Sequence, residues 1–287
     1  MILVTHVDLD GAGCSIVGKI FFPNITVYHH DYDTVDEKVL TLLQETTEKI
    51  LIADVSISAE TATIVNEKYP NRIEIFDHHR TAQEYLQCYS WTTYDLTQCG
   101  TRILFQELKK RMPNIKIPAQ LDMLTRRIND YDLWIHEFPD TKSYNDMMYM
   151  LGMDSFISVM IERLQKNQQL IQATDQFYLQ GLWSTKQKYY KKVLHNAIVD
   201  GNRLIVIASR YTSELSQYIR DISPQPEAWK NVQYIDVINI ESNCHSLRSY
   251  DLNFDVSEVA KAHGGGGHPR AAGYTITNTN RDWVLSL

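Results

Sequence analysis

The chain carries only four cysteines in 287 residues, and no two of them are spaced as CxxC. That excludes a zinc ribbon or a dithiol redox motif and leaves Cys14, Cys88, Cys99 and Cys244 as reduced, partly buried thiols. Long apolar runs are missing too: none approaches the roughly 18 residues that a membrane span needs. The N-terminus reads as a strand, not as a charged segment ahead of a cleavable apolar core. The expectation is a cytoplasmic protein with no membrane partner. Positive charge is in deficit, with 28 Lys and Arg against 35 Asp and Glu for a net charge of −7. This argues against a basic track for long duplex DNA. It leaves room for a short oligonucleotide or a small phosphodiester, because acids gathered on metal ions lose their local sign. There is no low-complexity stretch and no internal repeat. With 44% hydrophobic and 22% charged residues the composition is that of a globular protein, and the length suffices for two domains.

The first half alternates strand and helix patterns. Strands are expected at 2–5, 25–29, 49–53 and 72–76. Between them lie helical patterns that start at Gly11 and run over 35–47 and 58–68, with Ser58 as N-cap and Pro70 beyond the end. Such alternation implies right-handed crossovers and a parallel sheet. Helices follow over 97–112 and 118–129, and 155–197 is polar, helix-prone and free of proline. The last part returns to strands at 203–208, 233–240, 244–248 and 274–277, with helices at 214–221 and 256–263. The expected fold class is α/β: an N-terminal parallel-sheet domain over 1–165, a helical connector over 166–199, and a smaller C-terminal α/β domain over 200–287.

Chemistry-bearing residues gather where strands end. His6, Asp8 and Asp10 alternate after the first strand, and period-two spacing in extended chain would put all three on one face. Asp54 follows Leu51-Ile52-Ala53, and Asp77-His78-His79 follows Ile73-Glu74-Ile75-Phe76. In an open parallel sheet the carboxyl edge is where ligands bind. Asp and His clustered there suit divalent metals such as Mn²⁺, and a pair of such ions suits phosphoryl hydrolysis. After Asp77, one imidazole can bind metal and the other contact a phosphate, with the Asp orienting a ring. His29-His30 also ends a strand but lacks an acidic motif and reads as structural. Asp130 or Asp132, at the end of a helical stretch, can complete a metal's ligand set. Near the C-terminus, Gly264 to Gly267 and His268 read as a loop whose backbone N–H groups let phosphate oxygens approach. Arg248 in a neighbouring strand end can hold a phosphate.

Together, Thr5-His6-x-Asp8-Leu9-Asp10-Gly11-x-Gly13-Cys14, the strand-end Asp54, Asp77-His78-His79, the late Asp and Gly264-Gly-Gly-Gly-His268-Pro-Arg270-Ala-Ala-Gly273 resemble the DHH phosphoesterase superfamily with its DHH-associated C-terminal domain. The resemblance covers nearly the whole chain and is greatest to the nano-RNase branch of oligoribonucleases. RecJ-type exonucleases and cyclic-dinucleotide phosphodiesterases are more distant.

The resemblance implies two Mn²⁺ ions, with Mg²⁺ as a substitute. His6 and Asp8 would hold one, Asp10, His78 and a late Asp the other, and Asp54 would bridge them. For the late Asp, Asp130 is taken and Asp132 is the alternative. Asp77 would support the site, and His79 would face the scissile phosphate. Arg248, Gly266, Gly267, His268 and Arg270 would grip the substrate. The implied activity is hydrolysis of short oligonucleotides to nucleoside monophosphates. The alternatives are a cyclic or linear dinucleotide phosphodiesterase, a single-strand DNA exonuclease of RecJ type, pyrophosphate hydrolysis, and a nucleotide-binding module with an inactive site. The Tyr- and Met-bearing middle is compatible with a homodimer.

Overall fold

A computed structural model describes residues 1–275. The chain divides into two compact units, Met1–Leu179 and a second that begins at Gln180.

The first unit opens with β1 (Ile2–Thr5), α1 (Leu9–Phe21), β2 (Thr26–His29), α2 (Val35–Glu45), β3 (Ile50–Ala53), α3 (Ala59–Lys68), β4 (Ile73–Asp77), α4 (Arg80–Leu86) and β5 (Thr92–Tyr94). These strands form one sheet in the order β2-β1-β3-β4-β5, and every pairing is parallel. The central strands are buried on both faces, so they read as unbroken apolar runs rather than as alternation. Leu3, Leu51, Ala53 and Phe76 face one core. Ile2, Val4, Ile50, Ile52, Ile73 and Ile75 face the other, where they meet α2, α3 and α4. The first core is closed by α1 together with α5 (Gly100–Arg111), α6 (Leu121–Asp132), α7 (Thr141–Leu151) and α8 (Met153–Gln165). From β1 the chain moves outward to β2 and then returns to the other side at β3. The carboxyl ends of β1 and β3 therefore flank the point where strand order reverses, which is where crevices form in such sheets.

The stretch expected as one helix-prone run over 155–197 is broken. After α8 the chain turns at Lys166–Gln172, with Asn167 at φ 51°, before α9 (Ala173–Leu194). Arg163 holds that turn, donating to Leu170 O at 2.8 Å and to Asp175 at 2.5 Å. The division between the units falls inside α9. Helix α7, with Tyr144 and Met147 buried, and the short α4 and β5 were not read from the sequence.

The second unit adds β6 (Ile198–Asp200), β7 (Arg203–Ile207), α10 (Thr212–Asp221), β8 (Tyr234–Asn239), β9 (Cys244–Ser249), α11 (Val256–Ala262), β10 (Gly266–His268) and β11 (Ala271–Thr275). Its sheet runs β10-β11-β9-β8-β7-β6, with only β7 and β8 parallel. Leu204, Val206, Ile235 and Val237 pack on Leu215 and Ile219 of α10 and on Tyr190. Beside them Lys186 is fully buried, 3.0 Å from Glu214 Oε1. The last expected strand, 274–277, is seen as β11 through Thr275, and its final two residues lie outside the described ones. Among the described residues no helix is long and apolar enough to cross a membrane.

Candidate metal centre

The three residues after β1 do not reach the site by strand alternation. The strand stops at Thr5, and Asp8 is the N-cap of α1, accepting from Gly11 N at 3.0 Å. Asp10 lies in the first helical turn, so a cap and a turn replace the extended segment that the spacing suggested. Gly11 is required where the chain doubles back, since a Cβ there would lie 2.0 Å from His6 O. Asp10 reaches across to α5, taking Gly100 N at 2.7 Å and Thr101 N at 2.9 Å, so one carboxylate offsets the positive end of that helix. Asp54 leaves β3 in the left-handed region at φ 61°, which Asp tolerates better than most residues. Helix α5 approaches so closely that a Cβ on Gly100 would sit 2.6 Å from Asp54 Cβ.

These turns bring the acids around the imidazoles. His78 Nε2 lies 3.2 Å from Asp54 Oδ1, 3.5 Å from Asp132 Oδ2 and 3.8 Å from Asp10 Oδ2. His6 Nδ1 lies 2.9 Å from Asp8 Oδ2, and His6 Nε2 lies 3.4 Å from Asp31 Oδ1. Two of the sets of groups whose donor atoms lie within 4.8 Å of one another are His6, Asp8 and Asp54, and Asp10, His78 and Asp132; a further one is Asp54, Asp77, His78 and His79. Asp54 belongs to the first set and touches His78 of the second.

The electrostatics show what the arrangement wants. Burial raises the Asp54 pKa well above the carboxylate range, and the charges of Asp10, Asp8 and Asp132 raise it further. Asp132 is raised in the same way, by burial and then by Asp10 and Asp8. Burial lowers the His6 pKa, but the hydrogen bond and charge of Asp8 outweigh it and hold the group at about 9. Asp8 is correspondingly held low: burial works against its charge, and the His6 contact prevails. Asp54 Oδ2 and Asp132 Oδ2 are buried atoms with no hydrogen-bond partner among the described residues. Mutually opposed carboxylates with orphaned oxygens beside two imidazoles fit divalent cations, which reverse the repulsion.

The expected late ligand is not where the sequence reading put it. Asp130 lies outside both sets: its carboxylate takes Glu137 N at 2.8 Å, Phe138 N at 3.2 Å and Thr141 Oγ1 at 2.6 Å, pinning the connection between α6 and α7. Asp132, the alternative, faces His78 instead. The helix continues through Asp132 rather than ending at residue 129, and two further residues rotate the side chain by about 200°. His79 Nδ1 lies 2.7 Å from Asp77 Oδ1, and Ser56 Oγ donates to Asp77 Oδ2 at 2.5 Å. Burial opposes the Asp77 charge, but His79, His78 and Ser56 hold its pKa low.

No family model matches the chain. It is 29% identical over 303 residues to oligoribonuclease NrnB of Bacillus subtilis, a match spanning 96% of this chain and 73% of that protein. It is 28% identical over 158 residues to a 3′,5′-cyclic-nucleotide phosphodiesterase of Helicobacter pylori, spanning 49% of this chain and 44% of the relative. These relatives bear out the resemblance to the DHH phosphoesterase superfamily. The fold agrees: the crystal structure of RecJ from Thermus thermophilus in complex with Mn²⁺ covers 99% of this chain and 51% of its own, with a TM-score of 0.54 at 11% identity.

The remaining expected residues lie in the second unit. The glycine run is not an open loop there: Gly266–His268 form β10, paired with β11. Gly267, at φ 134°, stands where a Cβ would come within 2.6 Å of Ala272 Cα, so tight pairing already explains a glycine. Arg248 is anchored in β9, donating to Ser213 Oγ and to Leu247 O, each at 2.8 Å. Arg270 is exposed in the turn that joins β10 to β11. His29 Nε2 lies 2.9 Å from Ser15 Oγ. The sequence reading missed Tyr32, whose hydroxyl lies 2.9 Å from His79 Nε2. The available signal was position: Asp31-Tyr32-Asp33 directly follows β2, which lies beside β1.

Proposed function

We propose that this chain is a divalent-metal-dependent phosphodiesterase that hydrolyses short oligonucleotides to nucleoside monophosphates. The enzyme class, hydrolysis of phosphodiester bonds, follows from the superfamily and from relatives named as an oligoribonuclease and a phosphodiesterase. The observation that carries the metal dependence is the cluster of Asp8, Asp10, Asp54 and Asp132 against His6 and His78, in which Asp10, Asp54 and His78 are buried and Asp54 and Asp132 each carry an orphaned oxygen.

In this reading His6 and Asp8 hold one cation, Asp10, His78 and Asp132 hold the other, and Asp54 serves both. Mn²⁺ is the favoured ion, as in the RecJ neighbour, with Mg²⁺ as substitute. Cations bound there supply Lewis acidity toward the phosphate and activation of the attacking water at neutral pH. The chain's own residues do the rest. Asp77 fixes the His79 ring through Nδ1, which leaves Nε2 turned to the Tyr32 hydroxyl at 2.9 Å. The second unit, through Arg248, Gly266, Gly267, His268 and Arg270, is the substrate-gripping domain.

The test is purified protein with Mn²⁺ and labelled di- to pentanucleotides. Mononucleotides should accumulate, EDTA should abolish their release, and Asp54→Asn should reduce it at least about 100-fold, the scale of losing a group that stabilises developing charge. Absence of mononucleotide release from any length would refute the reading. A cyclic or linear dinucleotide as preferred substrate is the second reading; the Helicobacter pylori relative is named for a cyclic nucleotide, and the same panel with cyclic nucleotides and cyclic dinucleotides added separates the two.

A further inference from the structure

Tyr32 is not part of the metal cluster, yet it stands at its rim. Its hydroxyl is 2.9 Å from His79 Nε2, and its ring centroid lies 5.2 Å from that of His6 and 5.6 Å from that of His79. The phenol thus spans the two imidazoles that flank the crevice. It is held there by its own loop, because Asp31 Oδ1 accepts Tyr32 N at 2.8 Å while lying 3.4 Å from His6 Nε2. Behind His79 the hydrogen bonds continue inward: Nδ1 to Asp77 Oδ1 at 2.7 Å, Asp77 Oδ2 from Ser56 Oγ at 2.5 Å, and Ser56 Oγ from Tyr94 OH at 2.8 Å. The chain runs from a fully buried carboxylate to a tyrosine that is 48% exposed.

We propose that Tyr32 is a substrate-contacting residue, and that its hydroxyl, at the outer end of the Asp77–His79 chain, makes a hydrogen bond to a non-bridging oxygen of the scissile phosphate. This rests on the phosphodiesterase reading above. The imidazole is fixed from its buried side, so His79 Nε2 meets Tyr32 before it meets anything arriving from solvent. A phenol O–H turns about a single C–O bond and so passes from Nε2 to an incoming phosphate oxygen without any movement of the ring. An anion approaching the cluster between His6 and His79 passes within reach of that hydroxyl. His79 then acts on the phosphate together with Tyr32, which it positions.

Tyr32→Phe removes the hydroxyl and keeps the ring. Two measurements on the Mn²⁺-loaded full chain decide the matter: calorimetric affinity for adenosine 5′-monophosphate, and kcat and KM on a dinucleotide. The variant should bind Mn²⁺ and melt as the wild type does. It should bind the mononucleotide about 10-fold more weakly and lose roughly 10- to 100-fold in kcat, below the full loss of a preorganised donor because the cations remain. Wild-type mononucleotide affinity and wild-type kcat in Tyr32→Phe would overturn the proposal. A wild type that binds the mononucleotide, and loses affinity on Tyr32→Phe, but hydrolyses no phosphodiester would uphold the contact and overturn the hydrolytic reading. A wild type that does neither overturns both.

Discussion

Replacing Asp130 and Asp132 by asparagine, one at a time, separates a carboxylate that supports the fold from one that awaits a cation. The two are neighbours on α6 with opposite surroundings. Asp130 is 2% exposed and receives two backbone N–H groups and one hydroxyl. Asparagine there keeps one acceptor oxygen and turns an NH₂ toward a donor, so at least one charge-assisted bond worth about 1.5–3 kcal/mol is lost. With the misplaced donor the loss should reach roughly 2–4 kcal/mol, a drop of about 5–15 °C in Tm for a unit of this size. Asp132 stands among like charges, and its pKa is pushed up by burial and then by Asp10 and Asp8. Asp132→Asn in EDTA should therefore melt at or above the wild type. The order reverses with metal. At a Mn²⁺ concentration of about 100 times Kd the wild type gains roughly 2.7 kcal/mol. Losing a ligand weakens affinity by no less than the roughly 10- to 100-fold that outer-sphere partners cost, which leaves Asp132→Asn about 0.4–1.4 kcal/mol. Asp130→Asn should keep the full gain above its lower baseline. Differential scanning calorimetry with EDTA and with Mn²⁺ measures all four numbers. A full Mn²⁺ shift in Asp132→Asn together with its loss in Asp130→Asn would refute this assignment.

Three further outcomes follow from particular contacts. Gly100→Ala puts a methyl 2.6–2.8 Å from Asp54 atoms, so α5 has to move; isothermal titration should show weaker Mn²⁺ binding, and denaturation a loss of about 1–3 kcal/mol. Burial works to raise the Glu74 pKa, but hydrogen bonds from Lys49 at 2.6 Å and Arg111 at 2.5 Å hold it below the ordinary value of 4.5. Its contribution, on the order of 1 kcal/mol, is therefore present above pH 4.5 and lost as pH falls below it, and Glu74→Gln should flatten that part of a urea-stability profile. In the second unit Glu214→Ala takes the carboxylate from the fully buried Lys186 and should cost roughly 3–5 kcal/mol by chemical denaturation, whereas Glu214→Gln, which keeps a hydrogen-bond acceptor, should cost less.

The parallel sheet was legible because β1, β3 and β4 are buried on both faces, and a strand of that kind spells itself as an apolar run with its candidate site residue at the end. Asp54 and Asp77-His78-His79 were found on that rule. What the sequence hid lies in conformations that carry no periodic signal. Asp8 and Asp10 reach the crevice through a helix cap and a first turn, a path that mimics strand alternation in spacing alone. Asp130 and Asp132 differ only by rotation about α6, which depends on where that helix stops, the least legible property of a helix. The glycines before His268 looked like a phosphate loop because glycine serves close backbone approach of either kind, and the closeness here is to β11. Tyr32 has no motif at all; only the adjacency of β2 to β1 places it near His79.

Asp10 shows why the site and the fold cannot be dissected at every position. Its two oxygens take the first N–H groups of α5, and one of them also lies 3.8 Å from His78 Nε2. The partial positive charge of that helix end makes the Asp10 charge tolerable among other carboxylates before any cation arrives. The same contacts press Gly100 against Asp54. A substitution at Asp10 therefore removes a proposed ligand, uncaps a helix and loosens the backbone that aims a second proposed ligand, three losses in one measurement. Asp54 and Asp132 each have a buried oxygen with no hydrogen-bond partner among the described residues, so neutralising them in the metal-free chain should relieve repulsion rather than break structure. Activity lost at those two positions with stability retained is evidence about metal; activity lost at Asp10 is not.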